Sequence, residues 1–179
     1  IAMDNRQAAC QVVEELIKLG HNRIATIAGD VSTQAGLMRL EGFQEMLLKN
    51  DIRAPRSYIT FGDFLRTPAR VAAKKLLSLK EPPTAIFAAS DVMALELIDV
   101  AKSMGLKVPE DLSVIGFDDN PLILANRVSL TTVSQPLLEM GRLGAENLYQ
   151  ISRGKAKLPV KIILPTKFIK RESVRRNHK

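Results

Sequence analysis

The 179-residue chain is 46% apolar and 25% charged, with a formal net charge of +7, and it is long enough for one solid hydrophobic core. No apolar run approaches the ~20 residues needed to span a bilayer, and the single cysteine excludes an internal disulfide bond, so we expect a cytoplasmic protein with no membrane segment. The net charge does not by itself indicate a DNA-binding surface, because six Lys or Arg against one Glu lie between Lys167 and Lys179, and we expect this basic end to be solvated.

Helical and strand-like patterns alternate along the chain as far as Phe117. Apolar residues at helical spacing predict helices at Gln7–Leu19, Gly36–Lys49, Thr67–Leu79 and Asp91–Met104. Short runs rich in β-branched and aromatic residues predict strands at Arg23–Ala28, Ser57–Phe61, Ala85–Ala88 and Leu112–Phe117. Strict alternation of strand and helix is typical of βαβ units, so we predict an α/β fold with a parallel sheet flanked by helices on both faces.

The pattern changes after the fourth predicted strand. A short strand at Thr131–Ser134 precedes a predicted helix from Leu137 to Arg153, and strand-like pieces follow at Lys161–Leu164 and Lys167–Ile169. Gly141 and Gly144 interrupt that helix, where each glycine costs about 1 kcal/mol relative to alanine. We expect the helix backbone to pack closely against a neighbour at these two positions.

Polar side chains follow two of the predicted strands. Ser90 and Asp91 separate the third strand from the next helix, and Asp118 and Asp119 follow the fourth strand. In an open parallel sheet, ligands bind outside the carboxyl ends of the strands, so a cleft is expected here. Each residue also has a simpler interpretation, because Ser and Asp cap helices and fill turns, and we interpret Asp119 as a turn residue.

The segment from Pro83 to Pro136 carries the most specific pattern in the chain. Its strand begins PTA, its helix begins DVMA, and the following turn and strand are GLKVPEDLSVIGFDD, with LTTVSQ further on. These spaced positions closely resemble the effector-binding domain of lactose-repressor (LacI/GalR) family transcription regulators. The pair Gly20-His21, the R-x-x-G-F motif at Arg39–Phe43 and the terminal R-E-S at Arg171–Ser173 extend the resemblance over nearly the whole chain.

The resemblance implies a periplasmic-binding-protein type I-like architecture, with one lobe nearly complete and part of a second. It predicts that residues 1–134 form the C-terminal lobe of the effector-binding domain and that 135–158 form a helix returning to a missing N-terminal lobe. Residues 159–174 would then be closing strands and 175–179 a basic tail. The helix-turn-helix headpiece of such regulators is absent from this sequence, so contact with operator DNA is implied only for the parent protein, through that headpiece.

The resemblance also implies a site for a small effector, a sugar or related metabolite, formed by Arg39, Phe64, Ser90, Asp118 and Gln135. Arg39 can direct two donors to adjacent hydroxyls, Asp118 can accept from two hydroxyls, and Phe64 offers a face for stacking. A surface arginine, a capping aspartate and a core phenylalanine are the alternatives for these three.

Some other polar residues are weaker candidates. Asp4, Asn5, Thr33 and Gln34 could reach the same site. We expect no cofactor and no metal site, because His21 has no second metal-binding residue at ligand spacing.

A homodimer is expected, with two candidate interfaces. The helix Asp91–Met104 is apolar on more than one face, and the loop Pro121–Val128 carries exposed apolar residues; the alternative for both is that they belong to the core. A periplasmic sugar-binding protein of a transport system is the competing function, because it shares the two-lobed architecture. An enzyme is not expected, since the chain has neither G-x-G-x-x-G nor G-x-x-x-x-G-K-S/T.

Overall fold

The computed structural model of the chain describes residues 1–121, 129–155 and 161–177. The helices and strands predicted as far as Phe117 are present, with small differences at their ends. In chain order, the elements are β1 (Ala2–Met3), α1 (Asn5–Lys18), β2 (Ile24–Ala28), α2 (Gln34–Lys49), a 3₁₀ turn (Arg56–Tyr58), β3 (Ile59–Phe61), α3 (Arg66–Leu77), β4 (Ala85–Ala88), α4 (Asp91–Ser103), β5 (Ser113–Ile115), β6 (Thr132–Ser134), α5 (Leu137–Ser152), β7 (Ile163–Leu164) and β8 (Lys167–Ile169).

Two local features differ from the sequence prediction. The strand predicted from Ser57 begins instead as a 3₁₀ turn, in which the Tyr58 N–H donates to the Pro55 carbonyl, so β3 starts only at Ile59. The short β1 was not predicted, because two residues are too few to show a period. It is fixed by parallel pairing with β7, from the far end of the chain.

The central sheet is parallel, with the strand order β3-β2-β4-β5. One core, containing Phe43 and Phe87, lies between the sheet and α1 and α2. The other, containing Ile86 and Leu97, lies between the sheet and α3 and α4. Adjacent residues such as Ile86 and Phe87 enter different cores because strand side chains alternate between faces. The predicted parallel sheet with helices on both faces is therefore confirmed.

β6 continues this sheet beyond β5. Isolated parallel bridges join Ile115 to Thr131 and Asp118 to Ser134, and β8 pairs with β6 in the antiparallel direction. The chain after Asp118 thus returns alongside the end of β5, and this return brings the residue after β6, Gln135, next to the end of the sheet.

α5 makes few contacts with the rest of the described chain. None of its residues is buried, and Leu138 is 91% exposed. Apart from the chain neighbours and the backbone of the helix itself, no described atom lies within 4 Å of the place where a β-carbon would stand on Gly141 or Gly144. The close packing expected at these glycines is therefore not found within the described residues.

The basic end of the chain is more ordered than a solvated tail as far as Asn177. The Arg175 N–H donates to the Ser113 hydroxyl, the Arg175 carbonyl bonds to His21, and the Asn177 N–H donates to the Leu19 carbonyl. The side chains of Arg175 and Arg176 remain exposed, so the expectation of solvation holds for these charges but not for the backbone.

The structure describes one of the two expected dimer interfaces but not the other. The apolar residues of α4, among them Met93, Leu95 and Leu97, are buried within the chain itself, which favours the core alternative for this helix. The second candidate, the loop Pro121–Val128, lies outside the described residues except for Pro121. No helix in the described ranges is both long and apolar enough to cross a membrane.

Candidate functional site

The carboxyl ends of β2, β4 and β5 meet at one edge of the sheet, where the structure brings polar side chains together. The chain order reverses between β2 and β4, because β2 pairs with β3 on one side and with β4 on the other. Such a reversal leaves a crevice outside the strand ends. Four of the five predicted residues, Arg39, Phe64, Asp118 and Gln135, lie at this place, and with Asn5 they form what we call the strand-end cluster.

Arg39 is the centre of the cluster. It projects from α2 and is only 4% exposed. Its Nη1 donates to the Ala89 carbonyl at 2.6 Å and its Nε donates to Asn5 Oδ1 at 2.8 Å. Nη1 also lies 3.5 Å from Asp118 Oδ1. These contacts exclude the interpretation of Arg39 as a surface arginine.

The guanidinium of Arg39 also lies against aromatic rings. It is 3.6 Å from the centroid of the Phe117 ring and 5.8 Å from that of Phe64, within the range of cation–π attraction. Burial lowers the pKa of Arg39 to about 10, while the nearby charge of Asp118 acts in the opposite direction. Arg39 therefore remains a cation at neutral pH.

Asp118 is held in an unfavourable backbone conformation. Its φ is 121° and that of Asp119 is 53°, values that non-glycine residues rarely adopt. The Asp118 carboxylate accepts a hydrogen bond from Gln135 Nε2 and keeps 28% of its side chain exposed. Burial raises its pKa, and the Arg39 charge opposes that change. Asp118 is thus an oriented acceptor that still faces solvent.

Asp119 has the structural role that the sequence favoured. Its carboxylate accepts from Arg171 Nη2 at 2.7 Å, and Arg171 Nη1 donates to the Leu130 carbonyl. This ion pair joins the turn after β5 to the end of the chain. Asp119 is therefore a turn residue, next to the partly exposed Asp118.

One of the two roles that the sequence left open for Phe64, packing against the core, is observed, and stacking on an effector stays a prediction. The Phe64 ring packs against the core and remains partly exposed beside Arg39. A β-carbon on Gly29 would overlap the Phe64 ring, so glycine at the end of β2 is what lets the ring approach. Phe64 and Asp63 have φ values of 61° and 52°, so this aromatic also sits on strained backbone.

Ser90 and Asp91 lie beneath the cluster at the start of α4. The Ser90 side chain is buried and accepts from the Met93 N–H at 3.3 Å, which makes it the N-cap of the helix; its effector contact stays a prediction. Asp91 is fully buried and accepts from the Thr132 hydroxyl and the Asn120 N–H.

Of the four weaker candidates, two cap helices, one is exposed and one contacts Arg39. Asp4 caps α1 and Thr33 caps α2, while Gln34 is exposed. Asn5 alone joins the cluster, through Arg39. Sequence reasoning ranked Asn5 low because nothing local to it signals a partner 34 positions away.

Two grooves lie elsewhere on the described surface. Two apolar grooves of about 520 and 530 Å³ flank β3 on either side, lined by residues of α2 and of α3 respectively. Within the described ranges, no three His, Cys, Asp or Glu are grouped as metal ligands. His21 is buried between Thr84 Oγ1 and the Arg175 carbonyl, far along the sheet from the strand-end cluster.

The chain matches the family model described as a periplasmic binding protein-like domain over residues 13–174. Because this match covers most of the sequence, the chain belongs to the family of periplasmic binding protein-like domains. The fold class predicted from the sequence is therefore confirmed at the level of the family as well as of the sheet.

The relatives are transcriptional regulators. The HTH-type transcriptional regulator CelR of Thermobifida fusca is 36% identical over 97% of this chain and 51% of its own length. The HTH-type transcriptional repressor CytR of Escherichia coli strain K12 is 44% identical over 79% of this chain and 42% of its own length. A solved complex of the transcriptional regulator CelR with cellobiose has a TM-score of 0.90 at 37% identity, covering 96% of this chain and 52% of that one.

The chain spans about half the length of these relatives. The resemblance to the effector-binding domain of LacI/GalR regulators, predicted from Pro83–Pro136 and the motifs around it, is confirmed by these matches.

Proposed function

We propose that this chain is the effector-binding and dimerisation part of a LacI/GalR-type transcriptional repressor that works in the cytoplasm and catalyses no reaction. Its effector is a sugar or a related hydroxyl-rich metabolite. The observation that carries the proposal is the contact between buried Arg39 and partly exposed Asp118 at the carboxyl ends of the strands.

The cluster has the chemistry that a sugar requires. Asp118 can accept hydrogen bonds from neighbouring hydroxyls, and a hydrogen bond to a charged group contributes about 1.5–3 kcal/mol. The Gln135 amide offers donor and acceptor atoms beside it, and the partly exposed Phe64 ring offers an apolar face to the C–H side of a pyranose. Because Arg39 lies against the Asp118 carboxylate, this carboxylate is oriented before the effector binds.

One relative supports a saccharide as the chemical class of the effector. CelR is in complex with cellobiose in the solved structure, and this chain is 37% identical to it over 96% of its length. The cluster accounts for the recognition of hydroxyl groups rather than of one particular sugar.

The rest of the protein is part of the proposal. Residues 1–134 form one lobe, and 135–158 lead to a second lobe that would cover the exposed face of α5, including Leu138 and Leu148. Residues 159–174 close the lobe and 175–179 form its basic end. Effector binding closes the two lobes of each subunit in a homodimer, and a coupling of about 1–3 kcal/mol then changes the affinity of helix-turn-helix headpieces for operator DNA.

A solute-binding protein of a transport system is the weaker proposal. Such proteins share the two-lobed architecture, but the relatives CelR and CytR are named as HTH-type regulators. The distinction depends on DNA, so the test must measure effector and DNA binding in the same protein.

The test uses the intact gene product, whether or not it extends beyond these 179 residues. Calorimetric titration with mono- and disaccharides and nucleosides is expected to find one saturable effector. Fluorescence anisotropy with DNA from upstream of its own gene is expected to show binding that the effector changes. Asp118→Ala should lower effector affinity by about 10-fold or more, from the lost charged hydrogen bond, while the exposed Asp51→Ala, outside the cluster, should not.

The possible results of these measurements distinguish the two proposals. Effector binding without any DNA binding would favour the solute-binding protein. Unchanged affinity in Asp118→Ala would contradict the site, and the absence of any binding across the panel would contradict the effector class.

A further inference from the structure

Asp91 joins the segments that position Asp118. Its side chain is fully buried. Oδ1 accepts from the Thr132 hydroxyl at 2.6 Å and Oδ2 accepts from the Asn120 N–H at 3.0 Å. The Asp91 N–H donates to the Phe117 carbonyl at 2.7 Å. One residue at the start of α4 thus ties together the residue before Asp118, the second residue after it, and β6.

The turn held by Asp91 would not keep its shape unaided. Asp118 and Asp119 both have positive φ, and residues with side chains stay in such conformations only where surrounding contacts hold them. The Asp118 N–H donates to the Val133 carbonyl at one end of the turn. The Asn120 N–H donates to Asp91 at the other end. The Asp91 carboxylate therefore anchors the strained turn at its Asn120 end.

We propose that Asp91 is a positioning residue for effector binding, whose ionised carboxylate holds the 118–120 turn so that Asp118 faces the effector, and whose protonation releases that hold. The inference rests on the proposed function of the chain and adds a dependence on pH to the same site. Asp91 touches no effector itself in this proposal, because it is buried beneath the turn.

The charged groups facing Asp91 favour protonation within an accessible pH range. Burial raises the pKa of Asp91 to about 6, and the charges of Asp118 and Asp119 act in the same direction. Arg39 of α2 is the nearby cation that Asp91 influences, and Arg171, from the end of the chain, pairs with Asp119. The cations near this site are therefore engaged by the other two aspartates.

The hydrogen bonds of Asp91 set the direction of the effect. The bonds from Thr132 and Asn120 lower its pKa, which means that they are stronger to the carboxylate than to the neutral acid. Charge-assisted hydrogen bonds are roughly twice as strong as neutral ones. Protonation therefore weakens the anchor at Asn120, and effector affinity is expected to be highest above pH 6 and to fall below it.

Asp91→Asn separates positioning from stability. The amide has the same shape, and its oxygen can still accept from the Asn120 N–H, while its NH₂ group can donate to the Thr132 hydroxyl. It removes a buried charge, so the free energy of unfolding at pH 7.5 is expected to be unchanged or higher. A residue with only a structural role would not lower effector affinity while leaving stability intact.

The experiment compares the intact gene product with Asp91→Asn and with Asp51→Asn, the same change at an exposed site. Calorimetric titration of the effector identified by the binding panel is expected to show a wild-type affinity about 5-fold lower at pH 5 than at pH 8, if the pKa of Asp91 is one unit lower in the complex than in the free protein. Asp91→Asn should have the low affinity at every pH, and Asp51→Asn should follow the wild type. Thr132→Val should move the midpoint to higher pH.

Amide hydrogen exchange tests the anchor without any effector. The Asn120 N–H is expected to be about 10-fold less protected from exchange in Asp91→Asn than in the wild type, the factor that corresponds to one pKa unit. Protection of the Val114 N–H in the core should stay unchanged. Equal protection of Asn120 in both proteins, or a wild-type affinity independent of pH, would overturn the inference and leave the proposed function standing. If no effector binds the wild type, the proposed function fails and exchange at Asn120 alone decides whether Asp91 anchors the turn.

Discussion

Polar side chains are buried at both ends of the central sheet, but they are held by hydrogen bonds at the amino end and by an ion pair at the carboxyl end. At the amino end, His21 bonds to Thr84 and to the Arg175 carbonyl. At the carboxyl end, Arg39 and Asp118 carry opposite charges. No buried side-chain nitrogen or oxygen in the described residues lacks a hydrogen-bond partner, so satisfied polarity alone does not distinguish a ligand site from a structural joint.

Backbone strain does distinguish them. The non-glycine residues with positive φ in the described ranges are Asp51, Asp63, Phe64, Asp118 and Asp119. All but Asp51 lie at the carboxyl end of the sheet. Strained residues persist where surrounding contacts hold them and cluster at functional sites. The carboxyl end is therefore built to hold side chains in place, whereas the amino end joins the end of the chain to the sheet.

The two ends also respond to acid with opposite signs. Burial lowers the pKa of His21 below its ordinary 6.5, so the stability it contributes is lost as pH falls through 6.5, where the unfolded chain takes up the proton first. Burial raises the pKa of Asp91 from 3.8 to about 6, so the native state takes up the proton first and this group adds stability as pH falls from about 6 to 4. Acid is thus expected to loosen the amino end while it relieves the buried charge at the carboxyl end.

The largest effect is expected for Arg39→Met. Removing one partner of a buried ion pair costs about 3–5 kcal/mol, and water around the 28% exposed Asp118 side chain should reduce that loss. We expect urea unfolding to show a loss of about 2 kcal/mol and calorimetry to show no effector binding. Arg39→Lys keeps the charge but not the planar fork that reaches Asn5 and Ala89, so it should recover most of the stability and little of the affinity. Wild-type affinity in Arg39→Met would remove the basis of the comparison.

A smaller effect on stability is expected for Asp118→Gly. Buried Arg39 loses its charged partner in this variant, but glycine adopts a φ of 121° without steric cost. Asp118→Gly should therefore be less stable than the wild type but about 1 kcal/mol more stable than Asp118→Ala, which loses the same ion pair and keeps the strain. Effector affinity should fall by about 10- to 100-fold, from the lost charged hydrogen bond. Asp119→Gly is the matched control, because it relieves similar strain, loses the Arg171 ion pair and should change affinity much less. Equal stability of Asp118→Gly and Asp118→Ala would show that the turn is not strained.

The smallest effect is expected at the amino end. His21→Gln replaces a ring that bonds to Thr84 and Arg175, so chemical unfolding at pH 7.5 should show a loss of about 1 kcal/mol. Effector affinity should stay at the wild-type value, and the variant should lose less stability between pH 7 and 5 than the wild type does. A change in effector affinity would mean that the two ends are coupled and that the comparison between them is too simple.

The members of the strand-end cluster were predictable from the sequence, but their contacts were not. The resemblance to LacI/GalR regulators named Arg39, Phe64, Asp118 and Gln135, and the structure brings all four to one edge. Their mutual distances depend on where four parallel strands end, which no local pattern contains. Ser90 was named by the same resemblance and is seen here only as a helix cap.

What the sequence by itself determined is the order of strands and helices and the family, because apolar periodicity and spaced motifs are local properties of the chain. The tertiary structure decided which polar residues act together. Asn5 meets Arg39 across 34 positions and Asp91 meets Thr132 across 41, contacts that exist only once the sheet is assembled. The positive φ of Asp118 and Asp119 was likewise not predicted, because the contacts that hold the turn in that shape include those of Asp91, Val133 and Arg171, which are distant in sequence.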